Sequence, residues 1–174
     1  MEGKLEKNLV LTGMMGVGKS TVGRNLAEKL SYDFVDIDEV IEAREKASIN
    51  NIFKIKGESY FRKIETKITL EKLNKSKVVI SLGGGAFLNK FIRNRVKSSC
   101  ISFWLDISLN KLISRLNKSK KRPLLMKNLN QTINKIYLKR KKTYNEADYK
   151  IVCGSLKTYE IVNKISKIYE NTRN

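Results

Sequence analysis

The chain has 174 residues and a formal net charge of +19, with two cysteines and no histidine. That length suits one domain with a core of its own, and the missing histidine excludes His-based zinc sites and His-based acid–base chemistry. Cys100 and Cys153 form no CxxC pair, residues 1–7 lack a signal peptide's apolar run, and no stretch nears the about 20 apolar residues that span a bilayer.

A reduced, cytoplasmic chain with no membrane partner is therefore expected. Lysines are scattered along almost every segment, and the tight clusters are residues 118–122 and 139–142. Neither cluster interleaves aromatic residues as a single-strand binder requires, so no nucleic-acid partner is expected. Scattered positive charge instead supports solubility and speeds capture of anionic substrates.

Residues 8–12, NLVLT, read as a short buried strand, and residues 22–30 as a helix with Val22, Leu26, Ala27 and Leu30 on one face. Between them GMMGVGKST, residues 13–21, fits the P-loop pattern at every fixed position. Gly13, Gly16 and Gly18 allow backbone conformations that a Cβ forbids, so the loop's N–H groups can fold around an anion at a helix N-terminus. Lys19 can then reach the β- and γ-phosphates, and the Ser20 hydroxyl is placed to ligate Mg²⁺. The motif marks a nucleotide phosphate site.

Residues 32–38 read as a second strand ending in two carboxylates. Asp36 and Asp38 would project to one side of an extended backbone, one serving Mg²⁺ through water and the other an acceptor hydroxyl. A helix N-cap at Asp38, before residues 39–42, is an equally good reading, and both can hold for different oxygens. Helical periodicity then runs from residue 48 to 75, broken at Gly57. On its second piece Arg62 and Glu65 lie three apart, suited either to a substrate carboxylate with Glu65 orienting the arginine, or to a plain surface ion pair.

Residues 77–82 form the clearest central strand, and it ends in Gly83-Gly84-Gly85 rather than in an aspartate. Three glycines there let the backbone come close to a ligand, and the apolar residues 86–88 argue against a solvated linker. A strand over 100–106, a helix over 108–116, a basic segment over 118–126 with the only proline, a helix over 129–144, a strand over 149–152 and a helix over 156–169 complete the chain. The βα pattern, repeated five times, predicts an α/β fold: a three-layer sandwich around a five-stranded parallel sheet.

The ordered set of motifs resembles shikimate kinase over nearly the whole chain. The residues are the P-loop, Asp36-x-Asp38, Phe61-Arg62-x-x-Glu65, the triple glycine and Arg122-Pro123-Leu124-Leu125. The resemblance implies one domain over residues 1–174, with a substrate-binding helical segment about 38–75 and a lid about 118–128. It implies a monomer that takes Mg²⁺, ATP and shikimate, in aromatic amino-acid biosynthesis. Its ATP site would use Gly13, Gly16, Val17, Gly18, Lys19, Ser20 and Thr21, with Arg115 stacked on adenine and Arg122 closing on the transferred phosphoryl group. Ser20 and Asp36 would serve the metal, and Lys19, Asp38 and Arg122 the chemistry. Arg62 and Arg140 would grip the substrate carboxylate, beside Asp38, Gly83, Gly84 and Gly85. The family's Arg-x-Pro-x-Tyr stands here as Arg140-Lys-Lys-Thr-Tyr144, with lysine for proline. Gluconate kinase is the nearest rival reading, and a nucleotide-dependent regulatory domain the next. A guanine-reading Asn-Lys-x-Asp is absent from the sequence, which excludes a GTPase switch of the usual type.

Overall fold

The computed structural model describes residues 7–118 and 129–173. Its five strands are β1 (Asn8–Thr12), β2 (Asp33–Asp36), β3 (Val78–Ser81), β4 (Cys100–Asp106) and β5 (Tyr149–Val152). The helices are α1 (Lys19–Leu30), α2 (Ile37–Glu45), α3 (Ile49–Leu73), α4 (Lys90–Ser99), α5 (Leu109–Lys118), α6 (Leu129–Tyr144) and α7 (Thr158–Arg173), with a 3₁₀ turn at Ala86–Leu88. All pairings are parallel, in the order β2-β3-β1-β4-β5. Every residue of β1 and β3 is buried, so the sheet is covered on both faces, as three layers require.

Register decides where a site can form. Leu11, Ser81 and Asp36 stand in one row across β1, β3 and β2. The segments that follow them, the P-loop, the triple glycine and the start of α2, therefore open along one edge of the sheet. In open parallel sheets, ligands bind outside the carboxyl ends of the strands.

Three local expectations change. The strand expected over 32–38 stops at Asp36, because the Asp36 Oδ1 accepts the N–H groups of Asp38 at 3.0 Å and Glu39 at 3.4 Å and so starts α2. The cap is Asp36, and Asp38 lies in the first helical turn rather than on a strand. Helix α4 was not anticipated: only Ile92 and Val96 of its ten residues are buried. Ile55, an apolar residue within the helical period read over 48–75, is 77% exposed rather than packed inward. The break at Gly57 is real, with φ +80° and ψ 168° inside an otherwise helical run.

Among the described residues, no helix is long and apolar enough to cross a membrane.

Candidate active site

Loop and helix N-terminus create the phosphate cradle. Gly13, Gly16 and Gly18 have φ of +137°, +77° and +103°, which side-chain-bearing residues rarely adopt. Gly13 is also closed in space, since a Cβ would sit 2.5 Å from the Leu105 carbonyl oxygen. Lys19 is 8% exposed, and its Nζ donates to the carbonyls of Gly13 and Met14 at 3.0 Å each. The lysine thus folds back over its own loop. Ser20 Oγ donates to Asp36 Oδ2 at 2.5 Å, which joins the loop to the end of β2. Arg115 Nη1 donates to the Val17 carbonyl at 2.9 Å, at the outer side of the loop next to Gly18.

A cleft of about 840 Å³ is lined by Lys19 and Ser20 together with Asp38, Arg62, Glu65, the three glycines and Arg140. Gly16, Gly18, Thr21 and Asp36 line the same cleft, whereas Gly13 and Val17 shape the loop from behind it. Arg122, expected in the lid, lies outside the described residues.

Arg62 forms the expected ion pair with Glu65, but the carboxylate is buried, so this is not a plain surface pair. Its Nη1 donates to Glu65 Oε2 at 2.8 Å, while Nε and Nη2 donate to Glu58 Oε1 at 3.3 Å. Its guanidinium also lies 5.1 Å from the Phe61 ring centroid and 5.9 Å from that of Phe53. Burial works against the arginine's charge, but Glu65 and Glu58 outweigh it and hold the pKa above its ordinary value. From the sequence no site role falls to Glu58 or Phe53, and Phe61 enters only through the Phe61-Arg62-x-x-Glu65 motif. The one available signal was that Glu58 precedes Arg62 by four residues, one helical turn.

Glu65 is 2% exposed, and its Oε1 has no hydrogen-bond partner among the described residues. Burial pushes its carboxyl up, Arg62 pulls it back, Asp38 adds a further upward push, and the net direction is up. The raised value has a consequence for stability. Above the ordinary 4.5 and up to the raised value, the folded chain still holds a proton that the unfolded chain has released. Stability therefore falls as pH rises through that window, and is fully retained below it. Urea melts over a pH series should show the wild type losing stability relative to Glu65→Gln across the window. A constant difference would mean that Glu65 titrates normally.

Each glycine of the triplet has a neighbour that a Cβ would strike. At Gly83 it would lie 2.6 Å from Glu65 Oε1 and 2.7 Å from Asp38 Oδ1, and at Gly85 2.7–2.9 Å from the Arg62 guanidinium. At Gly84 it would come 3.3 Å from the Met15 amide nitrogen, so this loop lies directly against the P-loop backbone. Arg140 Nη1 donates to the Gly84 carbonyl at 2.8 Å. Lysine at 142 in place of proline leaves α6 unbroken through Tyr144, so Arg140 stays on a rigid helix.

A phosphate cradle that shares one cleft with a carboxylate and two arginines is what transfer of a phosphoryl group to a small acid requires. The class defined by this fold and loop is a P-loop kinase of small molecules. More particularly, the chain belongs to the shikimate kinase family: the family model described as shikimate kinase matches residues 15–170. A shikimate kinase of Persephonella marina is 42% identical over 159 residues, which cover 91% of this chain and 96% of that one. Shikimate kinase from Acinetobacter baumannii, solved in complex with shikimate, superposes with a TM-score of 0.90 at 32% identity, covering 96% of this chain and 94% of that one. A gluconokinase from Sinorhizobium meliloti covers 97% of both chains with a TM-score of 0.58 at 18% identity, a likeness of fold alone.

Proposed function

We propose that the chain is a monomeric shikimate kinase, transferring the γ-phosphoryl group of ATP to the 3-hydroxyl of shikimate to give shikimate 3-phosphate and ADP. This is a step of aromatic amino-acid biosynthesis. The observation that carries the reading is that Asp38, Arg62 and Arg140 line the same cleft as Lys19 and Ser20. Family membership and the solved relative with shikimate bound support it.

In this reading the phosphates of ATP rest on the loop backbone from Gly13 to Thr21, with Lys19 meeting the β- and γ-phosphates. Phosphoryl transfer asks the protein for positioning and charge compensation more than for covalent chemistry. Arg62 and Arg140 hold the acceptor by its carboxylate, and Asp38 accepts the hydroxyl proton as it is lost. Backbone at Gly83, Gly84 and Gly85 follows the ring. Arg115 serves the adenine, and Arg122 closes on the transferred group within a lid about 118–128, both assigned by sequence match. The segment about 38–75 carries the acceptor.

Mg²⁺ suits the donors present. Ser20 and Asp36 offer hard oxygens beside the loop, and among the described residues no cluster of three or more His, Cys, Asp or Glu forms a cage of its own. That fits an ion held chiefly by nucleotide phosphates and water, which Ser20 and Asp36 would steady. When bound it supplies charge neutralisation at the phosphates.

The test is ADP release coupled to NADH oxidation, with Mg·ATP and shikimate, quinate, gluconate or no acceptor. Shikimate-dependent release with a phosphorylated product of the right mass is expected. Release with gluconate only would overturn the substrate. ATP binding without acceptor-dependent turnover would point to a regulatory domain.

Arg62→Lys should raise KM for shikimate roughly tenfold and leave kcat within about twofold, because an ammonium keeps the charge but not the planar fork. Steady-state kinetics with an unchanged KM would remove Arg62 from carboxylate binding.

A further inference from the structure

We infer that Tyr144 is a positioning residue for the acceptor-carboxylate site, acting through the Gly84 carbonyl that it shares with Arg140. The inference rests on the acceptor assignment above. Arg140 and Tyr144 are four residues apart on α6, so their side chains emerge on one face, a turn apart. Both reach the same atom: Arg140 Nη1 donates to the Gly84 oxygen at 2.8 Å, and the Tyr144 hydroxyl donates to that oxygen as well. A carbonyl oxygen has two lone pairs, and these two donors match them.

Tyr144 does this from behind the site. It is fully buried, its ring lies 6.0 Å from that of Trp104, and its hydroxyl lies 3.9 Å from Met14 Sδ in the P-loop. Packing therefore fixes the phenol, whereas Arg140 lines the cleft. Burial also pushes the phenol pKa up, which keeps the hydroxyl a donor at working pH.

The triple glycine needs such an anchor. With no side chains of its own, it has wide backbone freedom. The Gly83 carbonyl is taken by Ala86 N–H and the Gly85 carbonyl by Leu88 N–H, both within the local turn. The Gly84 carbonyl is turned to α6 instead. The phenol sets that peptide's orientation, and the fixed carbonyl then ties one N–H of Arg140 so that the rest of its guanidinium is presented to a ligand carboxylate.

The experiment combines titration calorimetry and steady-state kinetics on wild type, Tyr144→Phe, Arg140→Ala and the double variant. Tyr144→Phe keeps the ring and removes only the donor. It should weaken shikimate binding and raise its KM about three- to tenfold, the weight of one hydrogen bond, with kcat and ATP affinity within about twofold. In the Arg140→Ala background the same change should add little, because the two residues act through one atom. Equal weakening of both substrates, an unaltered shikimate Kd, or a full multiplicative loss in the double variant would each overturn the role. A wild type that binds no shikimate would overturn the acceptor assignment, and this role with it. Arg140→Lys, which keeps a donor at this position, should restore part of the dependence on Tyr144.

Discussion

Asp38→Asn is expected to lower kcat by about 10²–10⁴-fold while KM for ATP stays within about twofold. The side chains are nearly isosteric, so the amide keeps the shape of the cleft and loses only the charge and the ability to take a proton. The residues proposed for the nucleotide and its metal are separate: they lie in the loop after β1 and at Asp36, which caps α2 through Oδ1 and accepts Ser20 through Oδ2. Folding should be little affected. Removing a carboxylate from the first turn of α2 costs about 0.3–1 kcal/mol of helix-dipole stabilisation, and relief of the push between Asp38 and Glu65 offsets it. Kinetics with both substrates, alongside a thermal melt, separates these effects. Near-normal turnover would take Asp38 out of the mechanism and leave it a helix-start residue.

How much of this could be read in the residues depended on the distance over which each feature is encoded. The P-loop is contiguous, and its glycines adopt the positive-φ conformations that the motif predicts. The parallel sheet was equally legible, since β1, β3 and β4 are short, mostly apolar runs. Asp38 was chemically legible but geometrically misplaced. The carboxylate of Asp36 captures two N–H groups ahead of it and ends the strand two residues earlier than the apolar pattern suggests. Helix α4 was missed because a ten-residue helix lying on the surface needs only two buried side chains. The features missed at the site are long-range. Nothing local reveals that the Gly84 carbonyl faces a tyrosine sixty positions later, or that Gly83 lies between carboxylates from two different helices. The triple glycine showed that something must approach closely there, but not what.

That closeness makes Gly83→Ala the second large effect. The new methyl would meet Glu65 Oε1 at 2.6 Å and Asp38 Oδ1 at 2.7 Å, both well inside contact distance. Neither carboxylate can yield without consequence. Glu65 is buried and tied through its other oxygen to Arg62 at 2.8 Å, so moving it draws the arginine away from its place. Moving Asp38 displaces the group assigned to the acceptor hydroxyl. A shift of this size in positioning costs about 10²-fold, and with both groups disturbed kcat/KM for shikimate should fall by about 10²–10³-fold. Overpacking should cost about 1–3 kcal/mol of stability, seen as a melting temperature several degrees lower. ATP affinity should hold within about twofold, because no P-loop atom is among the close neighbours of that methyl. Gly57→Ala is the matched control. Its φ of +80° makes the backbone strained for alanine, yet among the described residues no atom beyond its own chain neighbours and nearby helix backbone lies within 4 Å of the added carbon. It should lose about 1–3 kcal/mol of stability and keep its turnover. If Gly83→Ala instead behaves like Gly57→Ala, losing stability but not activity, the two carboxylates have room to move and their spacing is not what positions the acceptor.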